Sequence, residues 1–421
     1  MKKLQLVFAI ALVLSGMRPA LAQDKQFTDR LLKNRYELTV KDGVLAGLGA
    51  PVLQKAVSDA QFVLIGEDHG IAQIPRFVSA VCRMAEPLSF QDMAVETGPL
   101  AANELQKWMT REDGRDQLIA FGKQFPETIA FYNFQEEFDM LSGCAHSAQG
   151  GALRLWGLDQ ELMGASSYIL TQIMTTAPGK DAADLAQLLL QKSDQAHAAS
   201  AKSGSPADTY MMTASDADLN KLRDLLQKQG SPKAQLLIAS LIESREIYQK
   251  NMNGSGYDSN RQRALLMKKN FIEGYRAATE FEGHAPRVLM KFGGEHTYKV
   301  FNPLRNNDLG NLVAELADSA GSQSVHILIL GVKGSQLRFA GIGRPFQPAT
   351  FNLAEDKDSD FLFLRPMFDH LESDGWTMFD LRGLRKGFPS FGAVDKELER
   401  LIFGNDLLVL IPNATASKQI Q

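Results

Sequence analysis

Cysteine is nearly absent. Two thiols in 421 residues, Cys82 and Cys144, cannot build a disulfide framework or a cysteine-rich metal knuckle. A dominant charge is also missing: 45 Lys+Arg against 49 Asp+Glu leave a net charge of -4. That balance gives no basic excess for a phosphate backbone and argues against nucleic acid as a partner. After residue 22 every apolar run is broken by charge or glycine within about ten residues, which falls short of a membrane span. There is no Gly-x-Ser-x-Gly elbow, no His-Glu-x-x-His, no Walker lysine and no Gly-x-Gly-x-x-Gly after a strand. Serine-hydrolase, zincin, kinase and dinucleotide readings therefore lack support. Internal repeats and low-complexity tracts are absent as well.

What is present is globular: 44% hydrophobic and 22% charged residues can bury a large core. The N-terminus reads as a secretory signal peptide over residues 1–22. Lys2 and Lys3 form its basic region, Leu4 to Leu14 its apolar stretch, and Ala20-Leu21-Ala22 its small-x-small cleavage site. The expectation is a periplasmic or secreted protein with no membrane span once the leader is removed. Cys82 and Cys144 could pair in that compartment, but they read first as two small buried hydrophobes.

Residues 23 to 60 read as a polar lead-in with helical character near Val52 to Ala60. Gln61-Phe-Val-Leu-Ile-Gly66 is then a short continuous apolar run ending in glycine, the pattern of a buried parallel strand. A helical segment follows from Ile74 to Met84, then a second strand, Asp92-Met-Ala-Val-Glu96, and a third, Leu153-Arg-Leu-Trp-Gly157. From Glu161 to Thr279 only helical periodicity appears. Strand patterns resume at Arg287 to Phe292, Ser324 to Leu330, Gln336 to Ala340 and Leu407 to Ile411. The expected fold is α/β, a mainly parallel central sheet flanked by helices. Residues 23–160 and 280–421 form the two halves of its core, and residues 161–279 a helical insertion or cap over the site.

Strand ends carry the chemistry, because open α/β sheets bind ligands at the carboxyl ends of their strands. Three of these ends are polar: Gly66-Glu67-Asp68-His69-Gly70, Glu96-Thr97-Gly98 and Gly293-Gly294-Glu295-His296. His69 and His296 each end a Gly-x-x-His unit. If the strands are neighbours, two imidazoles and the carboxylates Glu67, Asp68, Glu96 and Glu295 share one crevice. An imidazole oriented by a carboxylate can take a proton from water. The same residues could instead hold a divalent metal with a position open for water. Arg76, on the helix after His69, is a candidate for binding a substrate anion, and Asp159 for orienting a histidine.

These motifs, in this order, resemble the erythromycin esterase-like superfamily and its wider Tiki/TraB/ChaN-type relatives, over about Phe62 to Thr415. The resemblance rests on Leu64-Ile-Gly-Glu-Asp-His-Gly70, Ala94-Val-Glu96 and Gly157-Leu-Asp159. It extends to the helix from Arg263 to Asn270, the loop Gly293 to His296 and the last strand near Phe403 to Pro412. It implies His69 as the general base activating water, with Glu67, Glu96 and His296 completing the pocket. Arg76, Asp159 and Arg263 are the candidates for contacting the substrate. The implied reaction is hydrolysis of an ester, lactone or amide in a small molecule or peptide. A single residue, Asp68, separates Glu67 from His69, and the late loop reads Gly-Gly-Glu-His. Both features are similar to the two Gly-x-x-His motifs of the Tiki/TraB/ChaN branch. That branch implies a metal-dependent peptidase, with manganese or zinc on His69, Glu96 and His296, or a haem-binding protein.

Overall fold

The computed structural model describes residues 25–148, 153–176, 179–228, 231–388 and 394–420. The leader read at residues 1–22 lies outside the described residues. Among the described residues ten strands form one sheet: β1 Arg35–Lys41, β2 Val44–Ala46, β3 Phe62–Glu67, β4 Phe90–Val95, β5 Arg154–Gly157, β6 Arg287–Gly293, β7 Ser324–Arg338, β8 Gln347–Asn352, β9 Trp376–Asp380 and β10 Leu407–Ala414. Their order is β2-β1-β9-β10-β7-β3-β6-β4-β5, with β8 paired to β7. From β10 to β5 all neighbours on this path run parallel, while β9, β1 and β2 add an antiparallel flank.

The central strands are largely apolar because both faces are covered. Alternate residues of β3 and β6 serve opposite cores. Val63, Ile65 and Leu289 pack on one face with Phe77, Val81 and Leu141. Phe62, Leu64, Val288, Met290 and Phe292 pack on the other with Met267 and Phe271. Side chains of this size stabilise by about 1.5–3 kcal/mol each when fully buried. Between β5 and β6 the described chain is helical. Helices Ser166–Thr175, Lys180–Ser203, Asp216–Lys228 and Pro232–Met252 bury an apolar cluster of their own around Ile169, Leu189, Leu222 and Ile238. Among the described residues no helix is long and apolar enough to cross a membrane.

Three expectations need correction. The polar lead-in contains β1 and β2, in which only Leu38 and Leu45 are buried. Gln336 to Ala340 is not a separate strand, since Gln336 to Arg338 are the end of β7, which continues past Leu330 to pair with β8. Cys82 and Cys144 are a disulfide with Cα atoms 5.2 Å apart, joining helices Gln73–Ala85 and Gln135–Ser147. Both thiols are buried, as expected of small hydrophobes, but the packing of these two helices also brings them within bonding reach.

Candidate active site

Pairing register sets the site. Glu67, the last residue of β3, stands beside Gly293 of β6, and Val95 of β4 stands beside Lys291. Glu67 and Glu96 are thus delivered to one end of the sheet on either side of β6, with His69 and His296 in the loops just beyond.

Two imidazoles face one carboxylate. His69 Nδ1 hydrogen-bonds Glu67 Oε1 at 2.7 Å, and its Nε2 lies 3.5 Å from Glu96 Oε2. His296 Nδ1 lies 2.9 Å from Asp308 Oδ2, and its Nε2 is 3.6 Å from Glu96 Oε1. In each histidine a buried carboxylate holds Nδ1–H and leaves Nε2 directed at Glu96. Asp308 is itself fixed, accepting from the Leu309 N–H that opens a helix and from Asn302 Nδ2. The His69 ring stacks on Phe131, centroids 3.9 Å apart and planes 10° off parallel.

Glu96 is clamped from behind. Arg263 Nη2 donates to Glu96 Oε1 at 2.7 Å while Nε and Nη2 grip the two oxygens of Asp159 at 2.9 and 2.5 Å. The Gly293 N–H donates to Glu96 Oε2. Burial pushes the Glu96 carboxyl up, but His69, His296, Arg263 and that N–H outweigh it and hold its pKa at about 2. For His69, burial opposes charging, yet the carboxylates of Glu96 and Glu67 prevail and raise the imidazole above its ordinary 6.5. His296 is raised likewise: burial and Arg263 oppose its charge, and Asp308 and Glu96 outweigh them. Burial also raises Glu67, but Lys291 and His69 bring it below the ordinary carboxylate range.

The imidazoles open into a cavity of about 720 Å³. Its far walls come from the C-terminal half of the chain: Tyr298, Arg305, Phe361, Phe363 and Arg400. Among the described residues, the helical segment, expected to cover the crevice, contributes only Arg263 to this cavity. It lines a second, smaller space of about 200 Å³ behind Arg263, with Tyr248, Asn251 and Asn260. Gly293 sits where a side chain would obstruct the chemistry. A Cβ there would lie 3.1 Å from His69 Nε2 and 3.2 Å from Glu96 Oε2.

The structure brings together Glu67, His69, Glu96, His296, Asp159 and Arg263. Asp68 lines the same cavity, and Glu295 is exposed at its rim. Arg76 does not join them: its side chain is exposed, 3.9 Å from Glu136 on the neighbouring helix, because the first turn of its helix points it away from the strand ends. Asp159 and Arg263 satisfy each other and Glu96 rather than presenting free charge to a ligand. The expected metal set of His69, Glu96 and His296 does not fit a cation. A guanidinium and a backbone N–H already occupy the Glu96 oxygens. Among the described residues no group of three or more His, Cys, Asp or Glu is arranged to hold a metal ion. The sequence reading missed Lys291, Glu137, Phe131 and Asp308. Of these only Lys291 carried a signal, a lone cation inside an apolar strand.

No protein-family profile and no curated protein matches this sequence. Solved structures do match it in shape. A mutant of the erythromycin esterase EreC in its open conformation superposes with a TM-score of 0.63 at 19% identity, covering 92% of this chain and 99% of that one. A Bacillus cereus protein gives 0.58 at 16% identity, covering 94% and 99%, and a succinoglycan biosynthesis protein 0.57 at 14%, covering 94% and 98%. At these identities the likeness establishes architecture alone, and that architecture is the erythromycin esterase-like fold.

Proposed function

We propose that the protein is a hydrolase of the erythromycin esterase-like superfamily, cleaving an ester, lactone or amide by attack of a water activated by His69. One observation carries this reading. The His69 imidazole has Nδ1 tied to the buried Glu67 carboxylate while Nε2 borders the gap that Gly293 leaves open at the cavity floor. Nε2 takes the water proton as the water attacks the carbonyl. The resulting imidazolium lies between the carboxylates of Glu67 and Glu96, which stabilise its charge. It then returns the proton to the leaving alkoxide or amine. His296, raised by Asp308 and Glu96, supplies a proton donor to the oxyanion from the other side.

The test is turnover of a panel of esters, lactones and amides by wild type and His69→Ala. Loss of about 10²–10⁴ in kcat with an unchanged near-ultraviolet dichroism spectrum is expected. Undiminished turnover by the variant defeats the assignment. Because the base must be neutral, kcat/KM rises with pH through a pKa above 6.5. Export belongs to the same reading and is supported by the Cys82–Cys144 disulfide, since such bonds persist in oxidising compartments. Cell fractionation tests it.

A further inference from the structure

Lys291 is the most conspicuous group that this mechanism leaves unused. Its side chain is 2% exposed on β6, on the face of Leu289 and in register with Ile65 of β3. An ammonium so placed is costly unless its protons are accepted. Two carboxylates accept them: Glu67 Oε1 at 2.5 Å and Glu137 Oε1, from helix Gln135–Ser147, at 2.9 Å. Glu67 Oε1 is the same oxygen that holds His69 Nδ1. The Tyr132 ring closes the pocket 5.9 Å from Nζ.

We propose that Lys291 is a positioning residue for His69: by keeping Glu67 a pure acceptor it fixes the imidazole proton on Nδ1 and leaves the Nε2 lone pair facing the cavity. This rests on His69 being the base. The groups around the imidazole make the case. Glu67 and Asp68 belong to its own loop, Glu96 faces it from the end of β4, and Lys291 and Glu137 lie behind Glu67 from β6 and the helix. Arg263 and His296 stand beyond Glu96, and Phe131 covers the ring.

Removing the cation leaves buried carboxylates without compensation, and Glu67 can be relieved in two ways. Glu67 gains a proton and donates it to Nδ1, which shifts the imidazole proton to Nε2. Otherwise His69 gains a second proton and balances Glu67 as imidazolium. Both end with a proton on Nε2, where the base must have none. Glu137 anchors the ammonium so that it stays on Glu67.

The experiment is long-range proton–nitrogen NMR of histidine-labelled protein, at a pH where wild-type Nε2 is unprotonated, on Lys291→Met. The expected result is a protonated Nε2 at His69, with kcat lower by about 100-fold and KM within about twofold. A folded Lys291→Met whose His69 keeps a bare Nε2 overturns the proposal. If the single variant does not fold, Lys291→Met with Glu137→Leu removes the cation together with one of its two carboxylates, and the same two outcomes apply. The NMR signal needs no substrate. Failure of the base assignment, seen as turnover surviving in His69→Ala, is therefore distinguishable from failure of the Lys291 assignment.

Discussion

The Arg263 guanidinium and the Glu96 carboxylate meet at 2.7 Å, and through this contact Arg263 couples the helix Gly256–Glu282 to the end of β4. Asp159 holds the other side of the guanidinium, so Glu96 faces both histidines as a fixed anion.

Replacing Arg263 with Gln unclamps Glu96. Glu96 is held at about 2 against an ordinary 4.5, so it contributes stability above pH 4.5 that is lost as pH falls through about 2. The contribution is on the order of 3 kcal/mol. Arg263→Gln is expected to narrow that window and to cost roughly 3 kcal/mol at neutral pH by leaving Asp159 and Glu96 unpaired. Urea midpoints measured from about pH 2 to pH 7 check both effects.

Glu161 predicts the opposite dependence. It is fully buried and accepts the Leu100 N–H with Oε1 at 2.8 Å, while Oε2 has no partner. Burial pushes its pKa to about 7 from an ordinary 4.5. Stability from this group is present below pH 4.5 and is lost as pH rises through about 7. Glu161→Gln keeps the acceptor and cannot ionise. It is expected to be more stable than wild type above about pH 8, on the order of 2 kcal/mol, with the difference vanishing near pH 5. A variant that is no more stable at the alkaline end refutes the assignment of this slope to Glu161.

Reducing the Cys82–Cys144 bond, or replacing both residues with serine, opens a loop spanning 62 residues. A loss of about 3 kcal/mol is expected. Comparison of melting with and without dithiothreitol in wild type, against no difference in the double serine variant, measures it.

Gly293→Ala tests the gap at the cavity floor. Its methyl would press on His69 Nε2 and Glu96 Oε2, at 3.1 and 3.2 Å, and no backbone crowds the position. The expected outcome is a fall of at least about tenfold in kcat/KM, roughly 1.4 kcal/mol in the transition state, with little change in melting temperature. Full activity in this variant would place the attacking water elsewhere.

The parts of the fold legible in the sequence are those buried on both sides. Phe62 to Ile65, Met93 to Val95 and Val288 to Met290 are continuous apolar runs because helices cover both faces, and the polar residues that follow them announced the site. The strands β1 and β8 lie away from that double cover. Only Leu38 is buried in β1 and none in β8, so neither shows the alternation that marks a half-buried strand. Arg76 was misplaced because helical spacing says which residues share a face but not how the helix is rotated against the sheet. Phe131 and Asp308 act through loop and cap geometry, which leaves no periodic trace, whereas the buried cation of Lys291 was readable in its strand.

The loop that brings Phe131 onto His69 has an unusual backbone. Glu127 and Phe131 both adopt left-handed conformations, with φ of 54° and 58°, which side chains larger than glycine resist by roughly 1–2 kcal/mol each. Their neighbours hold them there: Glu127 accepts the Gly343 N–H, and the Phe131 ring is trapped against the imidazole. A strained segment held by so few contacts is expected to relax on warming before the sheet beneath it gives way. The expected outcome is that heat separates Phe131 from His69 while the fold is still intact, so that turnover is lost below the melting temperature; activity and far-ultraviolet dichroism followed over the same temperature ramp check it, and coincident losses refute it.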